Sequence, residues 1–252
     1  MSNKTQLPLA GQAVLVTGAA RRVGAAIART LHAAGANLIL HYRSSASAAA
    51  SLAHELTHAR AGSAETLQAD LLDVKQLAPL IEAATAAFGR LDVLVNNAST
   101  FFATPIGSVT APQWEDLMGT NVKAPFFLAQ AAAPALRERR GLILNLADIH
   151  AMRPLKQFAV YCTAKAALAM LTRALARELA PEIRVNGIAP GPILWPEEAP
   201  EPTLQAKIIA QTLLKRQGSP QDVARTALFF AAEAPYITGQ ILAVDGGRSV
   251  GW

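Results

Sequence analysis

Residues 13–24 read AVLVTGAARRVG, a short apolar run that ends in glycine and continues into a helical pattern of apolar residues starting at Val23. The spacing predicts a strand, a turn and a helix in that order. Gly18 permits a tight turn, and Gly24 permits close packing of the helix on the strand. The free N–H groups of a helix that starts there bind phosphate, so the stretch indicates a dinucleotide site, with an ordinary strand-to-helix turn as the alternative.

Strand and helix patterns alternate along the rest of the chain, and the predicted strands are nearly continuous apolar runs. Such a pattern is typical of a parallel sheet that helices cover on both faces. We predict an α/β, Rossmann-type doubly wound sheet in a single domain over residues 1–252, with a Pro-rich loop at about 191–203. The predicted strands are 13–17, 37–42, 65–69, 91–96, 141–146, 183–188 and 240–244, and the predicted helices are 22–34, 45–60, 73–88, a pair across 112–138, 158–179, 203–214 and 220–232.

Composition narrows the class of protein. The 252 residues are 52% hydrophobic and 16% charged, which argues against disorder. The net charge is +5, but no long basic stripe with interleaved aromatics is present, so we expect no nucleic-acid partner. We find neither an apolar run of about 18 residues nor a leader pattern, and expect no membrane association. The single cysteine, Cys162, cannot form an internal disulfide, which favours a cytoplasmic location.

The end of the second strand indicates the choice of cofactor. NAD-binding chains usually carry Asp or Glu there for the ribose 2′-hydroxyl, whereas this chain has Arg43 and Ser44. An arginine fork suits a 2′-phosphate, so we predict NADP(H), unless Arg43 is merely exposed. Asp70, after the third strand, is placed either to accept from the adenine amino group or to form a turn.

Tyr161 and Lys165 open a long apolar helical run and, at positions i and i+4, lie on the same face of the helix. A free tyrosine has a pKa of about 10 and exchanges protons poorly at neutral pH. A nearby ammonium stabilises the phenolate, so we expect Lys165 to lower the pKa of Tyr161. The pair then passes a proton while a cofactor passes a hydride. Two surface residues that happen to lie four apart are the alternative.

These segments together resemble the short-chain dehydrogenase/reductase family over residues 11–249. The resemblance implies an NADP(H)-dependent oxidoreductase in which Asn97 and Ala98 support the nicotinamide ribose, Lys165 holds the ribose hydroxyls, and Asn121 holds a water in a relay to Lys165. The matching pieces are Thr17-Gly18 with Gly24, Asn96-Asn97-Ala98, Asn121, Tyr161 with Lys165, and Pro190-Gly191. The full predicted cofactor set is Gly18, Arg21, Arg22, Val23, Gly24, Tyr42, Arg43, Ser44, Asp70, Leu71, Asn97, Ala98, Ser99, Tyr161, Lys165, Pro190, Gly191 and Ile193.

Two positions depart from the common family pattern. Arg22 stands where most members carry a third glycine, and Asp148 stands 13 residues before Tyr161, where most carry a serine. An ionised aspartate repels a carbonyl oxygen, which disfavours ordinary ketone reduction. An aspartate that shares a proton with Tyr161 suits a C=N bond, whose nitrogen gains a proton as hydride arrives, and we expect burial to raise its pKa.

Both departures resemble one branch of the family, the pteridine reductases. The similar phrases are residues 17–24, His41-Tyr42-Arg43-Ser44 and Asn97-Ala98-Ser99-Thr100-Phe101. The resemblance implies reduction of a dihydropterin (dihydrobiopterin or dihydromonapterin type) or dihydrofolate, with a pterin stacked on Phe101 and in contact with Ser99 and Arg22. The predicted catalytic residues are Asp148, Tyr161, Lys165 and Asn121, the predicted substrate residues are Arg22, Ser99, Phe101, Asp148, Tyr161, Leu194 and Trp195, and no metal is predicted.

Two other functions stay open at this point. One is an NADPH-dependent carbonyl or 3-oxoacyl-thioester reductase of the same family, and the other is a non-catalytic nucleotide-binding sensor. Members of the family usually form tetramers through helix pairs and the C-terminal segment. The apolar helix 158–179 and the residues around Gly247-Arg248 are compatible with a homotetramer, which we predict by resemblance.

Overall fold

A parallel sheet of seven strands forms the centre of the computed structural model, which describes residues 7–195 and 201–251. The strands are β1 (Ala13–Val16), β2 (Asn37–Tyr42), β3 (Ala64–Gln68), β4 (Val93–Asn96), β5 (Leu142–Leu146), β6 (Arg184–Pro190) and β7 (Ile241–Val244). They lie in the order β3-β2-β1-β4-β5-β6-β7, and every pair is parallel. The predicted doubly wound α/β fold is confirmed.

Eight α-helices cover the sheet over the described ranges. They are α1 (Arg22–Ala33), α2 (Ala46–Ala59), α3 (Leu77–Phe88), α4 (Ala111–Met118), α5 (Ala124–Arg139), α6 (Ala159–Leu179), α7 (Pro202–Ala210) and α8 (Pro220–Ala232). Apolar residues of α1, α2 and α8 pack on one face of the sheet, and those of α3, α5 and α6 pack on the other.

Strand β1 explains why the apolar runs do not alternate with polar residues. Val14 and Val16 belong to the core under α1 and α8, whereas Leu15 belongs to the core under α3 and α5. All of these side chains are fully buried, because helices lie over both faces of the strand. Both faces of the strand therefore need apolar residues.

The strand order reverses beside β1, which pairs with β2 on one side and with β4 on the other. The chain crosses the sheet in opposite directions on the two sides of this point, so the loops after β1 and β4 separate and leave a crevice. Ligands bind in this crevice, outside the carboxyl ends of the strands. The fold thus places the Thr17–Gly24 turn and the Asn97–Phe101 segment side by side.

Two helical segments differ from the prediction. The pair expected across 112–138 is joined without a break by a π-helical turn at Gly119–Lys123. Helix α7 ends at Ala210 instead of 214, because the following residues turn toward the C-terminal segment, where the Leu214 N–H donates to the Gly246 carbonyl at 3.0 Å.

Residues 196–200 of the predicted substrate loop, and both ends of the predicted domain, lie outside the described residues. The single-domain assignment stays a prediction. None of the helices within the described ranges is both long and apolar enough to cross a membrane.

Candidate active site

The turn between β1 and α1 is built around two glycines. Gly18 has a φ of +61°, a conformation that glycine adopts without the steric cost of a side chain. A Cβ on Gly24 would lie 2.3 Å from the Gly18 carbonyl oxygen and 2.6 Å from Nδ2 of Asn97. Only glycine therefore fits at position 24, and the space it leaves brings the start of α1 close to the strand.

Polar residues that directly follow β1 and β4 hold this turn in place. Nδ2 of Asn97 donates to the carbonyl oxygens of Thr17 and Gly18 at 2.8 and 3.1 Å. Oγ1 of Thr17 in return accepts from the backbone N–H groups of Asn97 and Ala98 at 2.9 and 3.0 Å. The side chain of Asn97 thus stabilises the Thr17–Gly24 turn, and its predicted support of a ribose stays a prediction.

His41 on β2 also contacts the turn and was not among the predicted site residues. Its Nδ1 lies 3.2 Å from the Gly18 backbone N, and its Nε2 lies 3.1 Å from the Ala69 carbonyl oxygen. Burial lowers the pKa of His41 to about 4, so the ring is neutral, accepts from Gly18 and donates to Ala69. Sequence reasoning missed His41, because a buried histidine at a strand end gives no separate signal.

Arg22 has a φ of +52°, in the left-handed region that favours glycine. A non-glycine residue there costs about 1–2 kcal/mol, which explains why a glycine suits this position in the family pattern. The guanidinium of Arg22 donates to the Trp195 carbonyl oxygen at 2.8 Å. This hydrogen bond joins the Thr17–Gly24 turn to the segment after β6.

Arg43 is exposed at the end of β2 and lines the cavity together with Arg21. Its carbonyl oxygen accepts from Nε2 of Gln68 at 2.9 Å. Asp70 forms a turn, because its Oδ1 accepts from the Leu72 backbone N–H at 3.0 Å. The turn-forming alternative for Asp70 is thus what the structure shows, and the adenine contact stays a prediction.

The reactive end of the cavity holds Tyr161 and Asp148 in direct contact. The Tyr161 hydroxyl donates to Oδ2 of Asp148 at 2.7 Å. Oδ1 of Asp148 accepts from the His150 backbone N–H at 2.8 Å, at the start of the 3₁₀ turn Ile149–Ala151. That turn orients the carboxyl group toward the tyrosine. Tyr161 itself is buried, with 4% of its surface exposed.

The expectation that Lys165 lowers the pKa of Tyr161 is wrong for this structure. Burial and the adjacent Asp148 carboxyl raise the pKa of Tyr161 well above its ordinary value. Nζ of Lys165 lies 5.7 Å from the centre of the Tyr161 ring and donates to the Leu146 carbonyl oxygen at 2.8 Å. Burial lowers the pKa of Lys165 to about 8, partly opposed by Asp148. The tyrosine therefore holds its proton.

Asn121 lies in the π-helical turn and is almost fully buried. Its Nδ2 donates to the carbonyl oxygens of Leu117 and Thr100, and its Oδ1 accepts from Oγ of Ser99 at 2.6 Å. The π turn, a feature common at functional sites, re-aims the residue away from regular helical register. The side chain holds the Ser99–Thr100 segment, and its predicted water relay to Lys165 stays a prediction.

Phe101 forms an aromatic cluster with Phe158 and Tyr161. Its ring stacks on Phe158 at 4.6 Å between centroids and 14° between planes, and it meets Tyr161 edge-on at 4.8 Å. Phe101 is still 44% exposed. Phe158, three residues before Tyr161, was not predicted, because a lone aromatic before a helix is usually a core residue.

A cavity of about 1210 Å³ connects these features. Of the predicted residues, Tyr42, Ser44 and Asn121 do not line it. Those that line it are Gly18, Arg21, Arg22, Val23, Gly24, Arg43, Asp70, Leu71, Asn97, Ala98, Ser99, Phe101, Asp148, Tyr161, Lys165, Pro190, Gly191, Ile193, Leu194 and Trp195. Pockets for one small ligand measure roughly 300–1000 Å³, so this cavity has room for a cofactor and a substrate together.

The residues present fit a nicotinamide dinucleotide. The glycine turn leaves backbone space for a pyrophosphate at the N-terminus of α1, and three arginines line the same end of the cavity. Tyr161 and Lys165 line the other end, at the carboxyl side of β5. One end suits phosphates and the other suits proton transfer beside a transferred hydride.

Comparison with known proteins identifies the family to which this chain belongs. A family profile described as "Enoyl-(Acyl carrier protein) reductase" matches residues 18–249. Pteridine reductase 1 of Leishmania tarentolae is 38% identical, covering 94% of this chain and 96% of that protein. The 3-oxoacyl-[acyl-carrier-protein] reductase of Staphylococcus aureus is 35% identical, covering 94% and 97%.

A solved structure is also similar over nearly the whole chain. It is a blue fluorescent protein from a metagenomic library in complex with NADPH, with a TM-score of 0.90, 36% identity, and coverage of 96% of this chain and 99% of that one. The chain belongs to the short-chain dehydrogenase/reductase family. It is an NAD(P)-dependent oxidoreductase that acts on a small molecule, and it carries features of the pteridine reductase branch. This membership leaves no support for a non-catalytic sensor.

Proposed function

We propose that the protein is an NADPH-dependent pteridine reductase that converts a dihydropterin, or dihydrofolate, to the tetrahydro form. The observation that carries the proposal is the 2.7 Å hydrogen bond between Tyr161 and Asp148 inside the cavity. A carboxyl group that shares a proton with a phenol is suited to a substrate atom that must be protonated as it is reduced. The imine nitrogen of a dihydropterin is such an atom.

The chemistry divides between cofactor and protein. NADPH, when bound, supplies the hydride to the carbon of the C=N bond. The proton for the nitrogen comes from the Tyr161–Asp148 pair, so that C=N gains one hydride and one proton and becomes CH–NH. Solvent then replaces the proton. Lys165, buried behind Tyr161, adds positive charge that balances the negative charge left on the Tyr161–Asp148 pair by the transfer.

Arg43 supports NADPH as the cofactor. It lines the phosphate end of the cavity after a strand that carries neither Asp nor Glu at its end, so a 2′-phosphate meets a cation instead of an acid. The similar solved structure is a complex with NADPH, which agrees with this choice.

Phe101 supports a flat substrate. One face of its ring stacks on Phe158, while 44% of the residue is exposed within the lining of the cavity. Aromatic rings stack favourably in offset arrangements at 4.5–7 Å. A pterin ring that lies on Phe101 comes next to Tyr161, since the two protein rings are 4.8 Å apart.

A carbonyl or 3-oxoacyl-thioester reductase is the second candidate. The 35% identity to the reductase from Staphylococcus aureus supports it. Asp148 argues against it, because a carboxylate in contact with Tyr161 repels a carbonyl oxygen that approaches the same hydroxyl.

Steady-state NADPH oxidation with a panel of substrates separates the two. We expect turnover of dihydrobiopterin, dihydromonapterin or dihydrofolate and little turnover of acetoacetyl thioesters or simple ketones. Tyr161→Phe is the control that must abolish the signal. Turnover of a ketone without turnover of any of the three pterins would overturn the pteridine assignment.

We further propose a homotetramer in the cytoplasm. Exposed apolar side chains support association, among them Phe126 on α5, Met170 on α6 and Val250 near the C-terminus, which are 39%, 61% and 74% exposed. Multi-angle light scattering tests the assembly, and a monomer at micromolar concentration would contradict it.

A further inference from the structure

Two exposed lysines line the cavity, and neither belongs to the Tyr161–Asp148 pair or to the Thr17–Gly24 turn. Lys156 lies in the segment before α6, and Lys207 lies on α7. Their segments are far apart in sequence, and both line this cavity. The arginines of the phosphate end are accounted for by an anionic cofactor, whereas these two cations are not.

The backbone around Lys156 is held firmly. The Thr104 N–H donates to the Gln157 carbonyl oxygen at 2.6 Å, and Thr104 forms a bridge with Phe158. On the other side, the Leu155 N–H donates to Sγ of Cys162 at 3.3 Å. The stem of Lys156 therefore starts from a fixed point, although its ammonium group remains in solvent.

The helix that carries Lys207 is anchored to the C-terminal segment. Nη1 of Arg248 donates to the carbonyl oxygen of Ile208 at 2.9 Å, and Oγ1 of Thr212 donates to the same oxygen at 3.0 Å. Arg248 is buried, with 8% exposed. This anchor places α7 as one wall of the cavity.

Within residues 7–195 and 201–251 neither lysine has an acidic partner. The ion pairs there join Arg29 with Glu55, Arg90 with Asp92, and Arg216 with Asp222. Asp148 lines the same cavity, but its two oxygens already accept from Tyr161 and His150. Over the described residues, two cations thus line the cavity that also holds Tyr161 and Asp148, and neither forms an ion pair there.

We propose that Lys156 and Lys207 bind an anionic group, a carboxylate or a phosphate, on the side chain of the substrate. The inference rests on the proposed function and names its substrate class: pterins with an anionic tail. Asp148 repels negative charge at the reacting ring, while the lysines attract it at the tail, so the two ends orient the molecule.

The test compares three substrates of one ring type. Dihydrofolate carries carboxylates, dihydroneopterin monophosphate carries a phosphate, and dihydrobiopterin carries a neutral side chain. We measure kcat/KM for each with the wild type, Lys156→Ala, Lys207→Ala and the double variant. Lys75→Ala, which removes an equal charge from a residue that does not line the cavity, is the matched control.

We expect each single variant to lower the ratio of kcat/KM for the better anionic substrate to that for dihydrobiopterin about 3-fold, and the double variant about 10-fold, because each exposed ion pair contributes little. The loss should lie in KM. Lys207→Arg, which keeps the positive charge, should leave the ratio of kcat/KM at its wild-type value. Raising the salt concentration about 10-fold should lower this ratio in the wild type, because salt screens the ion pairs. The substrate preferred by the wild type tells carboxylate from phosphate.

Equal ratios in the wild type and the double variant would overturn the lysine proposal and leave the pteridine assignment intact. Absence of turnover with all three substrates would overturn the pteridine assignment, and this inference with it. Titration calorimetry with folate in the presence of NADP⁺ gives a second readout, in which the double variant should bind about 10-fold more weakly.

Discussion

The hydroxyl of Tyr161 donates to Oδ2 of Asp148 at 2.7 Å, and the backbone N–H of His150 holds the second oxygen of the same carboxyl group. The acid is therefore oriented by the main chain before any ligand enters. Burial and the neighbouring Asp148 carboxyl raise the pKa of Tyr161, so the tyrosine keeps its proton in the free protein. The tyrosine proton thus lies inside the cavity, at the position from which we propose that the substrate nitrogen receives it.

Replacing Asp148 with serine tests whether the stored proton is used on a C=N bond. We expect Asp148→Ser to lower kcat for dihydrobiopterin by about 100-fold or more, because proton transfer by a positioned acid contributes about 10²–10⁴-fold. Activity on a simple ketone should stay level or rise, since a serine donates to a carbonyl oxygen. Steady-state NADPH oxidation with both substrates measures this, and an equal loss on both would contradict the assignment of Asp148 to pterin protonation.

The buried ammonium of Lys165 makes stability depend on pH. Its pKa is about 8 in the fold and 10.5 in the reference state, so the unfolded chain binds more protons between these values and stability from this group rises with pH. Between pH 8 and pH 10 the gain is about 2 kcal/mol, from 1.36 kcal/mol per pKa unit. Tyr161 acts in the opposite direction only above about pH 10, where unfolded tyrosine ionises.

Urea unfolding of the wild type and Lys165→Met at pH 8, 9 and 10 measures this contribution. All other titrating groups are shared, so the difference in unfolding free energy should move in favour of the wild type as pH rises. If the difference in unfolding free energy between the wild type and Lys165→Met does not change with pH, or changes in favour of the variant, Lys165 keeps an ordinary pKa in the fold.

Arg43 should decide between the two nicotinamide cofactors. We expect Arg43→Ala to weaken NADPH binding about 10- to 100-fold, since a charge-assisted hydrogen bond of about 1.5–3 kcal/mol is lost. NADH, which has no 2′-phosphate, should bind within about 2-fold of its wild-type affinity. Fluorescence titration of both cofactors measures the effect, and equal weakening of the two would remove the argument for a 2′-phosphate site.

Gly24 should tolerate no side chain. We expect Gly24→Ala to abolish cofactor binding, because its Cβ would lie 2.3 Å from the Gly18 carbonyl oxygen. Gly62→Ala is the matched control: Gly62 has a φ of +64° but nothing within 4 Å of a Cβ, so the change should cost about 1–2 kcal/mol of stability and leave cofactor binding intact. Calorimetric titration with NADPH and thermal melts compare the two, and retained binding in Gly24→Ala would show that the turn can yield.

The order and type of the elements were largely predictable from local patterns. The apolar run before Gly18 and the apolar residues spaced four apart after it are local patterns of nearby residues. Strand β1 and helix α1 begin and end close to where these patterns predict. The π-helical turn at Asn121 was not predictable. One extra residue in a helical turn hardly changes the spacing of the apolar residues along the helix.

Sequence alone determined the glycine turn and the pairing of Tyr161 with Lys165 on one helix face, because each depends on residues within a few positions of one another. It also determined the fold class, because strand and helix patterns alternate along the whole chain. Tertiary structure decided the rest. Asp148 lies in a loop after β5 and Tyr161 in α6, and only their packing brings the two oxygens to 2.7 Å. The same burial raises the pKa of Tyr161, against the effect expected from Lys165, because desolvation depends on every atom that excludes water from the site.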